Sequence, residues 1–351
     1  MSAPSPSAPA RRGYLDWLRG LAVLVMIEAH LLDSWTRYED RGSDVYRMAM
    51  IAGGFGAPLF LFLAGVAVPL SAASKLRRTG DPTAASRAVV RRGLEVFGLA
   101  FLFRLQACIV SWGSWRSLLK VDILNIMGPS IMAAAAVWGW LRTNRARCFG
   151  FAAATVAMAF LTPPIRATPL LARLPDPLEG YLRPIPGLTN FVLFPWAGFV
   201  FAGAVCGTLL SGILAGPAER KIILRIALAG CAMALAAHAA SFLPSPYERS
   251  DFWTSSPSYF FLRTGILVAL IGAAFAWEHR PWNGGRFSPL QQMGRSSLFI
   301  YWIHIELIYG LMVRPLHKSV SFPVAAFSIP FFAALMLLLS ILKEKLMRRY
   351  W

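Results

Sequence analysis

Charge is scarce in this chain. Asp, Glu, Lys and Arg make up 15% of its 351 residues, against about 25% in an ordinary soluble domain. Acidic residues are the scarcest, 17 against 35 Lys and Arg. There are only four cysteines, Cys108, Cys148, Cys206 and Cys231. They form no C-x-x-C pair and have no His at ligand spacing, which excludes a disulfide-stapled secreted domain and offers no metal site. The sequence also lacks the G-x-S-x-G elbow of serin-type hydrolases, the P-loop and the Rossmann glycine pattern.

What is present is apolar. Hydrophobic residues account for 56% of the chain, and mean hydropathy is +0.53. Apolar runs of about 20 residues recur throughout, the length a helix needs to span a bilayer core. Ten spans are expected, at 15–36, 51–73, 93–110, 121–141, 148–163, 188–213, 222–243, 258–277, 290–313 and 321–342. The fold class is therefore all-α, a polytopic integral membrane helix bundle of about 10 transmembrane helices.

Domain organisation follows. Residues 1–13, rich in Pro and Ser, read as a disordered tail, residues 14–345 as one membrane domain, and 346–351 as a cytoplasmic tail. Leu21 to Ile27 is followed by Glu28 and His30 rather than a small-residue cleavage pattern, so it does not read as a signal peptide.

The net charge of +18 resembles that of a nucleic-acid binder, but the cations lie between apolar runs and form no basic face, so no nucleic-acid partner is expected. With the N-terminus inside, the inner segments hold 20 Lys and Arg in 74 residues and the outer segments 11 in 69. Both termini are therefore expected in the cytoplasm, with the inner loops against anionic membrane lipid.

Thirteen ionisable residues fall within or beside the spans: Asp16, Arg19, Glu28, His30, Asp33, Glu95, Arg104, Asp122, His238, Arg263, Arg295, His304 and Glu306. A Lys, Arg or Asp at a helix centre costs about 2.5–3.5 kcal/mol. Snorkelling or a structural ion pair can explain any one of them. The first span, LDWLRGLAVLVMIEAHLLDSW, is harder to explain this way. Arg19 and His30 are eleven residues apart, three turns plus about 20°, so they share a face about 16 Å apart along the helix. Asp16 and Asp33 lie within about 60° of that face. Such a stripe must border a cavity or a polar bundle interior.

The same stretch carries a resemblance. R-x10-H within LDWLRGLAVLVMIEAH resembles the first span of the transmembrane acyltransferases, of both the acyltransferase-3 and the heparan-alpha-glucosaminide N-acetyltransferase types. PLFLFLAGVAVPLSA (58–72), RRGLEVFGLAF (91–101), DILNIMGPSIM (122–132), FVLFPWAGFVFAGAVCG (191–207) and GRSSLFIYWIH (294–304) are similar to later segments of that group, in the same order. The resemblance implies acyl transfer from cytoplasmic acyl-CoA, commonly acetyl-CoA, to an acceptor across the membrane, here a glycan or glycolipid at the surface of a bacterial inner membrane. In the heparan branch it implies a catalytic His in the first outer loop. The corresponding loop here, 37–50, has none, so the active imidazole is expected at His30, as in the acyltransferase-3 pattern.

The charges accommodate that chemistry. Arg19, Arg78, Arg91, Arg92 and Arg295, with Lys75 and Arg77 beside them, fall at the inner boundary, where forked donors suit the phosphates of coenzyme A. Topology alone also explains cations at 75–92. In the outer half, His30 is expected to be the base or the acyl carrier, with Asp33 orienting its ring. Asp122, Asn125 and His304 are candidates for holding the acceptor or stabilising the oxyanion, with Arg263 and Glu306 on the acceptor side. No metal is called for. His238 reads as a packed helix residue, and His279 and His317 as solvated. The rival reading is a proton-coupled transporter, which would also use buried charges; no pair of inverted repeats with broken helices supports it.

Overall fold

The computed structural model describes residues 11–110, 115–213, 216–280 and 287–350. Helix, counting short 3-10 turns, takes up 82% of them, and no strand forms among them. In chain order the helices are α1 (Gly13–Trp35), α2 (Asp44–Gly53), α3 (Gly56–Thr79), α4 (Pro82–Val110), α5 (Ile123–Trp140), α6 (Asn144–Ala167), α7 (Asp176–Leu182), α8 (Leu193–Ser211), α9 (Pro217–Ala240), α10 (Pro257–Glu278), α11 (Pro289–Arg295), α12 (Ser297–Tyr309) and α13 (Phe322–Tyr350). The chain is an all-α polytopic membrane bundle.

Eight segments are long and apolar enough to cross a bilayer, with α2 and α3 joined as one. The other two expected spans are present in altered form. The first is α1, a 23-residue helix whose own charges lower its hydropathy. The ninth is broken: α11 ends at Arg295, and α12 has only 13 residues, about 20 Å of rise against a core of about 30 Å. The break lies where Gly294 meets α1. A β-carbon there would stand 1.9 Å from the Asp16 carbonyl oxygen, so the chain turns against α1 at backbone contact. Residues 311–316 form a 3-10 turn rather than the end of a span.

The centre of the bundle is α1 and α3. Helix α1 packs on α3, α10, α11, α12 and α13, and α3 packs on α4, α5 and α8. The α3–α8 contact depends on Gly203-x-x-x-Gly207, whose added β-carbons would lie 1.9 Å from the Phe62 oxygen and 2.3 Å from the Val66 oxygen. Only glycine permits that approach, the small-residue packing of membrane helices. Helices α4, α6, α9 and α13 bury the smallest shares of their apolar windows and present Leu and Phe side chains outward. With α1 in the middle, its charged stripe faces protein rather than lipid.

Two ends of the bundle are tied differently. At the end where α1 begins, Asp16 is 2% exposed and lies within 4.0 Å of Arg11, Arg19 and Arg295. Nearby, Arg12 and the Tyr14 hydroxyl both bond Glu219 of α9. Arg11 and Arg12 are thus held in place; the rest of the expected tail, residues 1–10, lies outside the described residues. Residues 346–350, expected as a tail, continue α13. At the other end, Arg37 N–H bonds the Val320 oxygen. Asp40 accepts the Phe322 N–H at 2.7 Å, which holds its carboxyl below the usual carboxylate range.

Candidate active site

A cavity of about 1370 Å³ runs through the bundle between these two ends. Its walls come from α1, α3, α4, α5 and α12, with the 189–196 segment closing one side. Arg19, Lys75 and Arg92 line it at the end where α1 begins, and His30, Asp33, Asp122, Glu306 and Tyr309 line it at the other. The helical arithmetic for α1 therefore leads to a physical space bordered by both Arg19 and His30. A further hollow of about 430 Å³ adjoins the cationic end, sharing Arg19 and Ser71 and adding Arg11, Arg12 and Arg77.

His30 is backed by a second imidazole. Its Nδ1 lies 2.9 Å from Nε2 of His304, and Nδ1 of His304 lies 2.9 Å from the Ile300 carbonyl oxygen. A carbonyl only accepts, so His304 carries its proton on Nδ1. With His304 neutral, its Nε2 is then an acceptor, and His30 must donate from Nδ1. That leaves the lone pair of His30 on Nε2. His304 is 0% exposed and does not line the cavity. It fixes the tautomer and ring plane of His30, with the two rings within 7° of coplanar orientation.

Asp33 does not orient the ring. Its carboxylate accepts from the Tyr309 hydroxyl at 3.2 Å and lies 3.4 Å from Lys318 and 3.5 Å from Arg41. Its backbone oxygen also accepts from Lys318 and Arg41. Asp33 therefore gathers charges at the mouth of the cavity. Being at i+3 brought it to the same face, but its shorter side chain reaches outward to those partners.

The remaining candidates divide by location. Asp122 lines the cavity, is paired with Arg104 at 2.5 Å and caps α5 through Ile123 N–H. Asn125 is 2% exposed. It accepts the Asp122 N–H at 3.0 Å and donates to Tyr181, so it braces Asp122 from behind. Glu306 lines the cavity and accepts from Gln106 at 3.2 Å, while Trp302 N–H donates to the Gln106 oxygen. Arg263 lies outside the main cavity, in a second pocket beside it. Among the expected donor cations, Arg19 and Arg92 line the cavity. Arg78 is exposed, Arg91 lies near Glu95 on the surface and Arg295 lies beside Asp16; none of these three borders it.

Some participants were not anticipated. Tyr309 edges onto the His30 ring at 5.7 Å, and Arg11 and Arg12 join the cationic end. Both arginines fall within the Pro- and Ser-rich stretch that composition alone assigns to the tail. Of the other histidines, His238 is exposed on α9, His279 bonds Phe275 at the end of α10 and His317 bonds Ile308. Only His30, of the five, borders the cavity.

The catalytic-domain model of the heparan-alpha-glucosaminide N-acetyltransferase family matches residues 11–238. The chain belongs to that family. A comparison with curated proteins found no match. As a member of a membrane acetyltransferase family, the chain combines that identity with the helical cavity described above. The match includes Arg19, Lys75, Arg92, His30 and Asp122. It stops within α9, before Arg263, His304, Glu306 and Tyr309, which join the site through geometry alone. The loop between α1 and α3 supplies Asp40 rather than an imidazole, and among the described residues no cluster of His, Cys, Asp and Glu is arranged to hold a metal.

Proposed function

We propose that this acetyltransferase-family protein moves an acyl group, acetyl in the family's usual pattern, from cytoplasmic acyl-CoA to a hydroxyl or amine of a glycan or glycolipid on the far side of a bacterial inner membrane. The observation that carries this reading is a single cavity bordered by Arg19 at one end and, alone among five histidines, His30 at the other. The excess of Lys and Arg in the inner loops puts the Arg19 end in the cytoplasm.

The residues fit an acyl-CoA donor. Three cations border the cavity at its inner end, and Arg11, Arg12 and Arg77 line the hollow that continues it. Guanidinium groups match phosphate geometry with paired donors. The span of about 16 Å from Arg19 to His30 suits a long, thin pantetheine arm. The cavity's 1370 Å³ exceeds the roughly 300–1,000 Å³ of ordinary small-molecule sites, leaving room for an acceptor.

The donor supplies an activated acyl carbon on a thiol leaving group. The protein's part begins with His30. Its Nε2 lone pair takes the proton from the acceptor hydroxyl or amine as the new acyl bond forms. The C–S bond breaks, and the same proton passes from Nε2 to the departing thiolate. The positive charge that develops on the ring is shared through Nδ1–H with His304 Nε2. Alternatively Nε2 itself takes the acyl group first and passes it to the acceptor; the lone pair on Nε2 serves both routes. Asp122 and Glu306 line the acceptor end and offer carboxylates to hydroxyl or ammonium groups there.

Titration of coenzyme A into the purified protein in detergent tests the donor site. Saturable binding is expected, weakened about 10-fold or more by Arg19→Ala, the scale of one charged hydrogen bond. Asp16 keeps Arg11 and Arg295 as neighbours in that variant, so the fold should hold. Absence of saturable binding, or proton-coupled solute flux in liposomes with no acyl donor, would favour a carrier instead.

A further inference from the structure

Beside the outer end of the main cavity lies a smaller pocket of about 200 Å³. The two spaces share Thr189, Asn190 and Trp196, so they adjoin at these residues. The lining of the small pocket has an unusual composition. Trp196, Phe199, Trp253, Tyr259 and Phe260 supply aromatic surface, and two guanidinium groups, Arg166 and Arg263, border the same space.

Arg263 is 9% exposed. One of its terminal nitrogens donates to the Gly54 oxygen at 2.5 Å. Its guanidinium lies between 5.1 and 5.7 Å from the ring centres of Phe55, Trp196, Phe199 and Tyr259. Arg166, at the end of α6, donates to the Phe194 oxygen at 3.2 Å. In both, Nε is buried and has no hydrogen-bond partner. Among the described residues neither arginine has a carboxylate within 4.0 Å. Asp251, whose field reaches Arg166, is engaged through its carboxylate by the N–H and hydroxyl of Thr254, each at 2.9 Å.

Other buried or half-buried arginines of this chain have a carboxylate or several carbonyls as partners. Arg12 has Glu219, Arg104 has Asp122 and Arg183 has Glu179. Arg147 has no carboxylate, but its Nε donates to two carbonyls, Trp138 and Leu141. Among the described residues, only the two arginines of the small pocket combine an absent counter-charge with a buried, unpartnered Nε. Two cations that border one aromatic pocket lack the pairing that buried charges require. A bound anion supplies both missing terms, and the fork geometry of guanidinium fits an oxyanion.

We infer that this pocket is an oxyanion subsite, holding a carboxylate or phosphate group against Arg166 and Arg263 while the ring or chain that bears it lies on Trp196, Trp253 and Tyr259. Resting on the acyl-transfer reading, that anion belongs to the acceptor. The subsite then selects negatively charged acceptors and aims the neighbouring hydroxyl or amine past the shared Asn190 and Trp196 toward His30. Arg166 thereby becomes a specificity residue, and Arg263, expected from the sequence to serve the acceptor, gains a defined ligand chemistry.

Calorimetric titration of the full-length protein in detergent with glucuronate, glucose and inorganic phosphate tests this. Glucuronate should bind saturably and glucose should not. Arg263→Gln and Arg166→Gln should each weaken glucuronate at least 10-fold, and Arg→Lys at the same positions should retain part of the affinity. Phosphate binding that matches or exceeds glucuronate and is lost in the same Gln variants would support the oxyanion site with a phosphate-bearing acceptor. Failure of both anions to bind the wild type, or binding indifferent to both Gln substitutions, would overturn the inference. Should Arg263→Gln fail to fold, Arg166→Gln decides alone, since Arg166 is only half-buried. The readout is binding in the absence of any donor, so it stands whether or not the protein transfers acyl groups.

Discussion

Replacing His30 with Ala is expected to lower acyl transfer by about 10²- to 10⁴-fold, the usual contribution of a positioned acid–base group. Coenzyme A binding should stay within twofold, because the cations proposed to bind its phosphates lie about 16 Å away, toward the other end of α1. Stability should change little, by about 1 kcal/mol for one hydrogen bond lost at His304 Nε2. That nitrogen would then face the vacated edge of the cavity, where water can reach it. The base and acyl-carrier routes separate in the same experiment. Incubation of the wild type with labelled acetyl-CoA and no acceptor leaves label on the protein only when Nε2 takes the group itself. Transfer by His30→Ala at near wild-type rate would remove the imidazole from the mechanism altogether.

The second large effect is expected 274 residues further along the chain, at a buried side chain that does not line the cavity. His304→Ala should lower turnover by about 10²-fold, near the upper end of what partners of a working imidazole contribute. Without His304 the Nδ1 proton of His30 has no fixed acceptor, the ring can flip, and both tautomers become accessible. His304→Gln should recover part of the loss, since an amide oxygen can accept the same proton. The pattern should appear in kcat more than in the KM for donor. Asp33→Asn provides the contrast. Its carboxylate serves Tyr309, Lys318 and Arg41 rather than the imidazole, so ring orientation should survive that change. A larger kcat loss for Asp33→Asn than for His304→Ala would reverse the assignment of the two residues.

The difference between these two partners also marks how far the sequence could be read. Helical periodicity was sufficient to put Arg19 and His30 on one face, because α1 is a regular helix and eleven residues return to nearly the same side. It was sufficient for the all-α membrane bundle too, because apolar runs separated by basic loops leave few alternatives. Periodicity could not reveal which group backs His30. Asp33 was the local choice, but the actual partner comes from α12 through a contact between distant segments. The break before α12 was hidden for a similar reason. Gly294 looks like any glycine in an apolar run until Asp16 of α1 is found against it. Arg11 and Arg12 were read as part of a polar tail, although their partners, Asp16 and Glu219, bind them to the bundle. Arg166 lay in a Pro-rich stretch with no pattern of its own, and only the approach of α10 brings it to the same pocket as Arg263.

The central claim is that one cavity joins a donor site at the Arg19 end to an acceptor site at the His30 end. Oriented, sealed proteoliposomes test it most directly, with labelled acetyl-CoA supplied on the Arg19 side only and an amine- or hydroxyl-bearing glycan on the His30 side only. The account predicts labelled acceptor in that arrangement, none when donor and acceptor exchange sides, and none with His30→Ala. Transfer of equal rate from both arrangements, with the vesicles shown to be intact, would contradict it.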